Sequence, residues 1–331
     1  MEGDGRPFTC SSFVRQMGLT FDNFIPIHQA HSYCRKPLLP PRQLTGILMG
    51  AFNGIWISYL HVPAFVVTLG SQLVFKGLML ALMKSASIGL FPELYSAVSL
   101  KFIADPFQGG SGFHPLTLII GAASIALYLL IVFQARKKQV QNGLEVSGNG
   151  SFISQTVPIC AAILLFAYML AVHNGIPYIL ILLVLLTAAY SFMGNNTTLG
   201  RRLYQVGGNE KAAALSGIRT KNITFFAFVN MGLLAALAGI VYSARLNFAT
   251  PTAGDGFELD AIASCFIGGA SPSGGVGTIR GAITDALIMG VLNNGMSLMG
   301  LGIETQKAVK GMVLILAVLL DVIGRRRAES K

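Results

Sequence analysis

The sequence is poor in charge, in cysteine and in tryptophan. Its 331 residues include 24 basic and 14 acidic side chains, so that charged residues make up 11% of the chain, with four cysteines and one tryptophan. A soluble domain carries roughly 25% charged residues, so this composition excludes an ordinary soluble enzyme. The cysteines form no CxxC pair and no cluster with histidine, which argues against a disulfide framework and against a metal site.

What the sequence does have is apolar residues, 53% of the chain. Nine apolar runs are long enough, or nearly so, to cross the roughly 30 Å hydrocarbon core of a membrane as helices. They cover residues 44–60, 62–83, 115–133, 154–172, 177–193, 223–244, 259–270, 278–299 and 307–323. The short seventh run fits either a full crossing or a re-entrant or broken helix. The sequence therefore predicts an all-α fold, a polytopic membrane helix bundle with about eight to nine spans.

The basic residues are concentrated in the loop after the third run, in the loop after the fifth run and in the C-terminal tail. In a soluble protein a net charge of +10 would suggest nucleic acid as a partner. Between membrane spans, lysine and arginine instead mark the cytoplasmic side. We therefore expect no nucleic-acid partner, a lipid bilayer as the environment and a cytoplasmic C-terminus. The number of crossings places all three basic segments on the cytoplasmic side only if the seventh run also crosses the membrane.

Residues 1–43 differ from the rest of the chain. They carry five basic residues on the side that the count of crossings places outside, and closely spaced prolines that should break a helix. Two explanations stay open. In one of them, unrelated sequence stands in place of missing N-terminal spans; in the other, the segment is a soluble tail whose orientation the later spans determine. The predicted organisation is an atypical segment at 1–43, a membrane domain at 44–325 and a basic tail at 326–331.

The loop at residues 198–223 contains a short predicted helix. Helix-forming residues at 210–215 follow Asn209, which can cap a helix N-terminus, and precede Gly217, which can adopt the left-handed conformation at a helix C-terminus. A short rigid helix on a basic loop can lie on anionic lipid, or it can fit a groove on a partner protein. The local sequence leaves both interpretations open.

Several motifs give the chain a family resemblance. The loop matches a pattern of the form FGxR-Y-xGGN-xxAAxLSGI, with Leu199 in place of phenylalanine. Further matches follow at residues 62–70, 258–263, 268–269, 274–278 and 293–297. Over residues 44–325 the chain thus resembles the permease subunits of bacterial ATP-binding-cassette importers for monosaccharides, of the ribose, arabinose, galactoside and xylose type, with 293–297 most like the xylose member.

The resemblance implies a transport subunit rather than an enzyme, in a multi-pass fold of the bacterial plasma (inner) membrane. It implies an ATPase partner that binds the ATP, so that this chain holds no cofactor itself. It also implies a permease homodimer, an extracytoplasmic sugar-binding protein and a monosaccharide substrate, a xylose-like pentose or a hexose. The ATPase would couple to residues in the loop at 199–222, namely Arg201, Arg202, Gly207, Gly208, Asn209, Ala213, Leu215, Ser216 and Gly217.

One departure from the family limits this interpretation. Such permeases have about ten spans and a GGIDLSVG-like motif in an early span, and the chain shows neither the motif nor the early spans. The departure favours missing N-terminal spans, and it keeps a non-transporting truncated fragment as an alternative function. A stand-alone secondary transporter is a further alternative, which predicts transport without ATP and an inverted repeat.

A neutral sugar requires hydrogen-bonding side chains at membrane depth and no fixed countercharge. The candidates for a translocation path are Asn53, Asn230, Asp285, Asn293 and Asn294. For each asparagine the alternative is a hydrogen bond between helices that stabilises the fold. A proton-coupled transporter would show more buried acidic residues than Asp260 and Asp285, which are the main ones in the runs.

Two glycine patterns predict close packing rather than chemistry. Gly46, Gly50 and Gly54 lie on one face of the first run, where small residues let two membrane helices approach closely. The glycine-rich stretch at 268–278 lacks the GxxxxGK[ST] pattern of a phosphate-binding loop. It predicts instead a sharp turn between a short helix and a long one.

Overall fold

The computed structural model describes residues 39–83, 87–89, 91, 93–103, 114–141, 149–172, 175–271 and 274–329. The helices in these residues are α1 Leu39–Ser58, α2 Ala64–Met83, α3 Glu93–Leu100, α4 Pro115–Gln141, α5 Asn149–Val172, α6 Tyr178–Asn196, α7 Thr198–Gly208, α8 Glu210–Leu215, α9 Thr220–Leu246, α10 Phe257–Ile267, α11 Ile279–Leu298 and α12 Ile303–Glu329. Strands β1 Ile88–Gly89 and β2 Phe248–Ala249 form an antiparallel pair. The predicted helical fold is confirmed, and each of the nine apolar runs overlaps one helix.

The start of α1 corrects one prediction. The closely spaced prolines of the N-terminal segment were expected to break any helix, yet α1 begins at Leu39 and contains Pro40 and Pro41. Both prolines lie in the first turn, where the backbone N–H groups have no partner within the helix, so their missing N–H costs little there. The part of the atypical segment up to residue 38 lies outside the described residues.

Four helical segments are long and apolar enough to cross a membrane in the part of the chain that is described. They are Ala64–Met83, Pro115–Gln134, Tyr178–Asn196 and Thr220–Leu246. Only α9 among them is half buried within the protein, whereas α6 has no buried residue at all. The apolar surface of α6 is therefore available to lipid, while α9 lies among other helices.

By its packing the chain divides into two compact units, residues 1–98 with 183–331, and residues 99–182. In the second unit α4 packs on α5, where Gly121 lies so close to Ala167 that a Cβ at 121 would be 2.5 Å from the alanine Cβ. The backbone N–H of Ile103 donates to the carbonyl of Ile176 at 2.9 Å, which ties residues 101–103 to the start of α6.

In the first unit α1 packs along α9 through glycines. A Cβ at Gly50 would lie 2.5 Å from the carbonyl oxygen of Phe228, and a Cβ at Gly54 would lie 2.9 Å from the ring of Phe225. A Cβ at Gly232 on α9 would lie 3.0 Å from the Cα of Gly50. The two backbones approach closely because neither helix has a side chain at these positions, as the glycine pattern of the first run predicts.

The loops at the C-terminal ends of α2 and α9 meet on one side of the first unit. Ile88 of β1 pairs with Ala249 of β2. The ammonium group of Lys76 forms a salt bridge with the Asp255 carboxylate at 2.8 Å. These contacts place the 87–89 loop and the 247–256 loop on a common face, at the opposite end of α9 from α8.

The seventh apolar run forms a helix of only 11 residues, α10. At a rise of 1.5 Å per residue it is about 16 Å long, half of what a bilayer requires. Its first residue, Phe257, stacks edge to face on Tyr242 near the C-terminal end of α9, with ring centroids 4.9 Å apart. The glycine-rich segment that follows reaches the other end of α9, where Tyr204 of α7 donates a hydrogen bond to the Gly277 carbonyl at 2.9 Å. The run is thus a broken helix, a helix of 11 residues that irregular backbone follows.

Candidate functional site

The short helix predicted in the basic loop is present as α8, and Asn209 joins it to α7. The Asn209 backbone N–H donates to the carbonyl of Gln205 at 3.0 Å and so ends α7. Its side-chain oxygen accepts the N–H of Ala212 at 3.0 Å and so caps the N-terminus of α8. A single residue therefore fixes the angle between two helices. The N-terminus of α7 is capped in the same way by Thr197, whose hydroxyl accepts the N–H of Gly200 at 3.2 Å.

The C-terminus of α8 closes in a Schellman motif. Gly217 has a φ of +80°, as predicted, and its N–H donates to the carbonyl of Ala214 at 3.0 Å. The next N–H, of Ile218, reaches back to the carbonyl of Ala213 at 3.1 Å. This pair of bonds satisfies carbonyls that the helix end would otherwise leave open. The hydrogen bonds at both ends make α8 a rigid projection rather than a plain linker.

The α8 helix presents a mixed surface to its surroundings. Ala213 faces inward and is 4% exposed, whereas Leu215 is 91% exposed. Arg201 and Arg202 on α7 are also exposed. An exposed leucine on α8 and two exposed arginines on α7 offer an apolar contact and positive charge, which suits docking to an acidic, partly apolar surface. We call the exposed parts of α7 and α8 the α7–α8 surface.

The end of α7 is in backbone contact with the glycine-rich segment. A Cβ at Gly207 would lie 3.0 Å from the amide nitrogen of Gly275, and a Cβ at Gly275 would lie 2.6 Å from the Cα of Gly208. Gly275 also has a φ of +75°, where glycine is strongly preferred. The predicted turn with close packing is present in the glycine-rich segment, but no pattern in the sequence indicated that α7 is its neighbour.

The other end of the glycine-rich segment is equally close to α11. A Cβ at Gly268, directly after α10, would lie 2.6 Å from the amide nitrogen of Ala282. The Thr278 hydroxyl accepts the N–H of Gly281 at 3.1 Å and caps α11. The segment therefore links three elements, α7, α10 and α11, through contacts that leave no room for side chains.

A cavity of about 550 Å³ lies between α6, α7, α9 and the glycine-rich segment. Five α7 residues line it, and four of them recur at helical spacing on one face, namely Gly200, Leu203, Tyr204 and Gly207. Across the cavity, the Tyr190 hydroxyl donates to the Asn230 side-chain oxygen at 2.7 Å. Most of the other lining side chains are apolar, so the cavity offers few donors and acceptors to a polyhydroxylated sugar. The contact observed for Asn230 is thus a hydrogen bond between α6 and α9, which is the structural alternative to a role in the path.

Asn293 lies in a polar cluster that connects three helices. Its side-chain nitrogen donates to the Asp260 carboxylate of α10 at 2.8 Å. Lys310 of α12 forms a salt bridge with the same carboxylate oxygen, also at 2.8 Å, with side chains only 13% and 15% exposed for Lys310 and Asp260. Next to this cluster, α10 packs on α12 through Ile262 and Phe266. Sequence reasoning missed Lys310, although a lysine inside an apolar run was a signal for a buried partner.

The remaining path candidates are not brought together with these groups. Asn53 is fully buried on α1, and neither atom of its amide has a hydrogen-bond partner in the described residues. Asp285 is 8% exposed and lies about 12 Å, or roughly two helical turns, from Asn293 along α11. Asn294 is exposed on α11. The described residues hold no group of three or more His, Cys, Asp or Glu that could bind a metal ion.

Comparison with known proteins shows to which family the chain is related. Residues 38–318 match the model of a family described as the branched-chain amino acid transport system, permease component. The chain belongs to this permease family. The match begins one residue before α1 and includes α10, the glycine-rich segment and most of α12.

Individual relatives of the permease are named for sugars. The xylose transport system permease protein XylH of Escherichia coli K12 is 35% identical over 283 residues, which are 86% of this chain and 70% of that protein. XylH of Haemophilus influenzae is 34% identical over 282 residues, 85% of this chain and 73% of the relative. The ribose import permease protein RbsC of Bacillus subtilis is 42% identical over 179 residues, 54% and 49% of the two chains. No solved structure gives a significant match.

Family membership and helix content together make the permease a multi-pass membrane protein and a transport subunit rather than an enzyme. They also explain why the polar groups of the structure are few and are distributed over several helices. A permease moves its substrate by changing the arrangement of helices, so contacts between helices matter more than a single reactive side chain.

Proposed function

We propose that the permease is the membrane subunit of an ATP-driven importer for a monosaccharide, a xylose-like pentose or a hexose. The names of its relatives supply the substrate class. The observation that carries the proposal is the α7–α8 surface, a doubly capped helix pair with Leu215 91% exposed on a basic loop. A protein that moved sugar alone would have no need for a rigid projection of this kind.

The proposed partners follow from this role. An ATPase subunit docks on the α7–α8 surface and binds the ATP, so the permease itself holds no cofactor. A second copy of the permease completes the path, and an extracytoplasmic sugar-binding protein delivers the monosaccharide on the opposite face. In this arrangement α7, α8 and the C-terminus are cytoplasmic, as the positions of the basic residues indicate, in a bacterial inner membrane.

Movement of the ATPase would pass through the permease by direct contact. The α8 helix is joined to α7 by the Asn209 cap, and α7 contacts the glycine-rich segment through Gly207 and Tyr204. The segment is continuous with α10 and packs on α11. A displacement of α8 would therefore shift α10 and α11 against α12, and so open and close the path alternately.

The path itself is proposed to use Asn53, Asp285, Asn293 and Asn294, with Asn230 at its edge. Asn53 carries both an amide donor and an amide acceptor without a partner in the described residues, at 0% exposure. A buried unpaired amide costs roughly 1–3 kcal/mol, so a hydroxyl group of a passing sugar would be stabilised there.

The test is binding of the ATPase to the purified permease. Leu215→Asp replaces an extended apolar contact by a charge that would be buried on docking, and Leu298→Asp is the matched control. Leu298 is 81% exposed but lies at the far end of α11 from the glycine-rich segment. Losing the burial of one leucine costs about 1.5–3 kcal/mol, so binding should weaken by roughly tenfold or more in the first variant only. Equal binding by wild type and Leu215→Asp would refute the docking surface.

A further inference from the structure

The cluster of Asp260, Asn293 and Lys310, here called the Asp260 trio, lies where three helices meet. The trio contributes one residue each from α10, α11 and α12. Its charges cancel, because one carboxylate faces one ammonium group at 2.8 Å. The side chains of Asp260 and Lys310 are 15% and 13% exposed, so the trio is nearly buried and still has an edge that solvent reaches.

The trio leaves two oxygen acceptors unused. The second carboxylate oxygen of Asp260 and the amide oxygen of Asn293 are buried, and neither accepts a hydrogen bond from any described residue. A buried oxygen that accepts no hydrogen bond destabilises the structure, so a donor from a ligand would be favourable there. Both unused oxygens belong to side chains that are already bonded to each other at 2.8 Å, so they form a pair of acceptors within one small site.

The position of the trio favours a substrate over a purely structural role. Asp260 lies in the first turn of α10, the broken helix, on the side of the 247–256 loop. In membrane transporters, substrates bind where a helix is discontinuous, because half-helices expose backbone and side-chain dipoles to a cavity. Charged groups at membrane depth are also expensive to keep and mark pathways when they occur.

We propose that the Asp260 trio binds two neighbouring hydroxyl groups of the monosaccharide, an assignment that rests on the proposed import function. One hydroxyl donates to the free oxygen of Asp260 and the next donates to the amide oxygen of Asn293. The Lys310 ammonium donates to a sugar oxygen in return. Hydrogen bonds to charged groups are about twice as strong as neutral ones, which suits a ligand with no charge of its own.

The chemistry of the trio selects a neutral diol over other small ligands. A cation at the free carboxylate oxygen would be repelled by Lys310, and an anion at the ammonium group would be repelled by Asp260. A diol has two hydroxyl donors on adjacent ring carbons, and its oxygens can also accept a hydrogen bond. An ordered water molecule also supplies two donors, and the experiment below separates water from sugar.

The experiment measures protection of the purified full chain, in lipid nanodiscs, against thermal unfolding. D-Xylose is the probe, and the fully O-methylated xyloside, which has the same ring and no hydroxyl donor, is the control ligand. We expect D-xylose to raise the unfolding temperature in a saturable way and the methylated compound to have no effect. A wild-type chain that D-xylose does not protect, or that both compounds protect equally, overturns the proposal and leaves water as the occupant.

Two variants separate binding from structure. Asn293→Leu removes one acceptor, and with it the amide donor to Asp260, but it keeps the Asp260–Lys310 salt bridge. At least a tenfold higher D-xylose concentration should then be required for protection. Ser297→Ala, at an exposed position one turn along α11, is its matched control. The exchange Asp260→Lys with Lys310→Asp retains an ion pair, so it should fold, but it places a donor at the Asn293 oxygen and should abolish protection.

Unchanged protection of Asn293→Leu or of the exchanged pair would show that the trio is structural and refute the assignment. Failure of the import function itself would appear elsewhere, as an absence of ATP-dependent uptake by the wild-type assembly. The protection assay needs neither ATP nor the ATPase, so the two failures are distinguishable.

Discussion

The contact between α7 and the glycine-rich segment is the joint on which the proposed coupling depends, and Gly275→Ala tests it. Gly275 has a φ of +75°. A Cβ added there would lie 2.6 Å from the Cα of Gly208 and 3.0 Å from its amide nitrogen. Both neighbouring atoms belong to backbone, so neither can move aside by rotating a side chain.

The cost has two parts. An L-residue in the left-handed region costs roughly 1–2 kcal/mol more than glycine. Carbon atoms prefer separations of about 3.5–4.0 Å, so the two backbones must part by about 1 Å, and overpacking of this kind costs roughly 1–3 kcal/mol. Only the collision depends on the contact with α7, and its cost of about 1–3 kcal/mol would lower the population of that contact roughly fivefold or more.

The assay is ATP-dependent sugar uptake by the reconstituted assembly, measured beside the amount of permease in the membrane. We expect uptake to fall roughly fivefold or more at an unchanged amount of permease. Gly300→Ala is the matched control, because Gly300 has a φ of +70° but a Cβ there would have nothing within 4 Å. The Gly300→Ala variant has the strained left-handed backbone but no collision with a neighbour. Uptake by an assembly with this variant should therefore stay within about twofold of wild type. A Gly275→Ala permease that transports at the wild-type rate would refute the role of this joint.

Three further predictions concern the helices. Gly50→Ala should lower the free energy of unfolding by about 1–3 kcal/mol, because the added methyl would lie 2.5 Å from the Phe228 carbonyl oxygen. Gly70→Ala, where a Cβ has nothing within 4 Å, should be neutral or stabilising in the same thermal unfolding assay. Asn209→Ala should reduce ATPase binding through loss of the α8 cap, worth about 1 kcal/mol, and Asn209→Asp should restore it; equal binding by all three would count against the cap. Gly208→Pro should abolish uptake without affecting membrane insertion, since it removes an N–H at the end of α7, and normal uptake would contradict this.

Local features of the fold were predictable because they depend on neighbours in sequence. The apolar runs define the helices, and the ends of α8 follow from Asn209 and Gly217, whose backbone preferences hold in any surroundings. The first turn of α1 was predicted wrongly because proline has opposite effects at the start and in the interior of a helix.

Contacts between distant residues were not predictable in the same way. The period of an apolar run shows that a helix is present, but in a membrane helix the apolar face does not reveal which neighbour it meets. Nothing in the sequence therefore paired Asp260 with Lys310, or Tyr204 with Gly277. The glycine positions predicted close approach correctly for α1, and the structure was needed to supply α9 as the partner.

The candidate site was predictable in its composition and not in its grouping. The five candidates for a path, four asparagines and one aspartate, share only a polar side chain within an apolar run. The structure gives Asn230 a tyrosine partner and Asn293 an ionic one, and leaves Asn53 without a partner among the described residues. Burial and pairing depend on helix packing, which is why residue type alone could not separate them.

The most direct test of the account is uptake of D-xylose and of D-ribose into proteoliposomes that contain the permease, an importer ATPase and a sugar-binding protein. The account predicts accumulation that requires ATP and all three proteins and that is lost with Leu215→Asp but not with Leu298→Asp. Accumulation without ATP, or accumulation unaffected by Leu215→Asp, would contradict it.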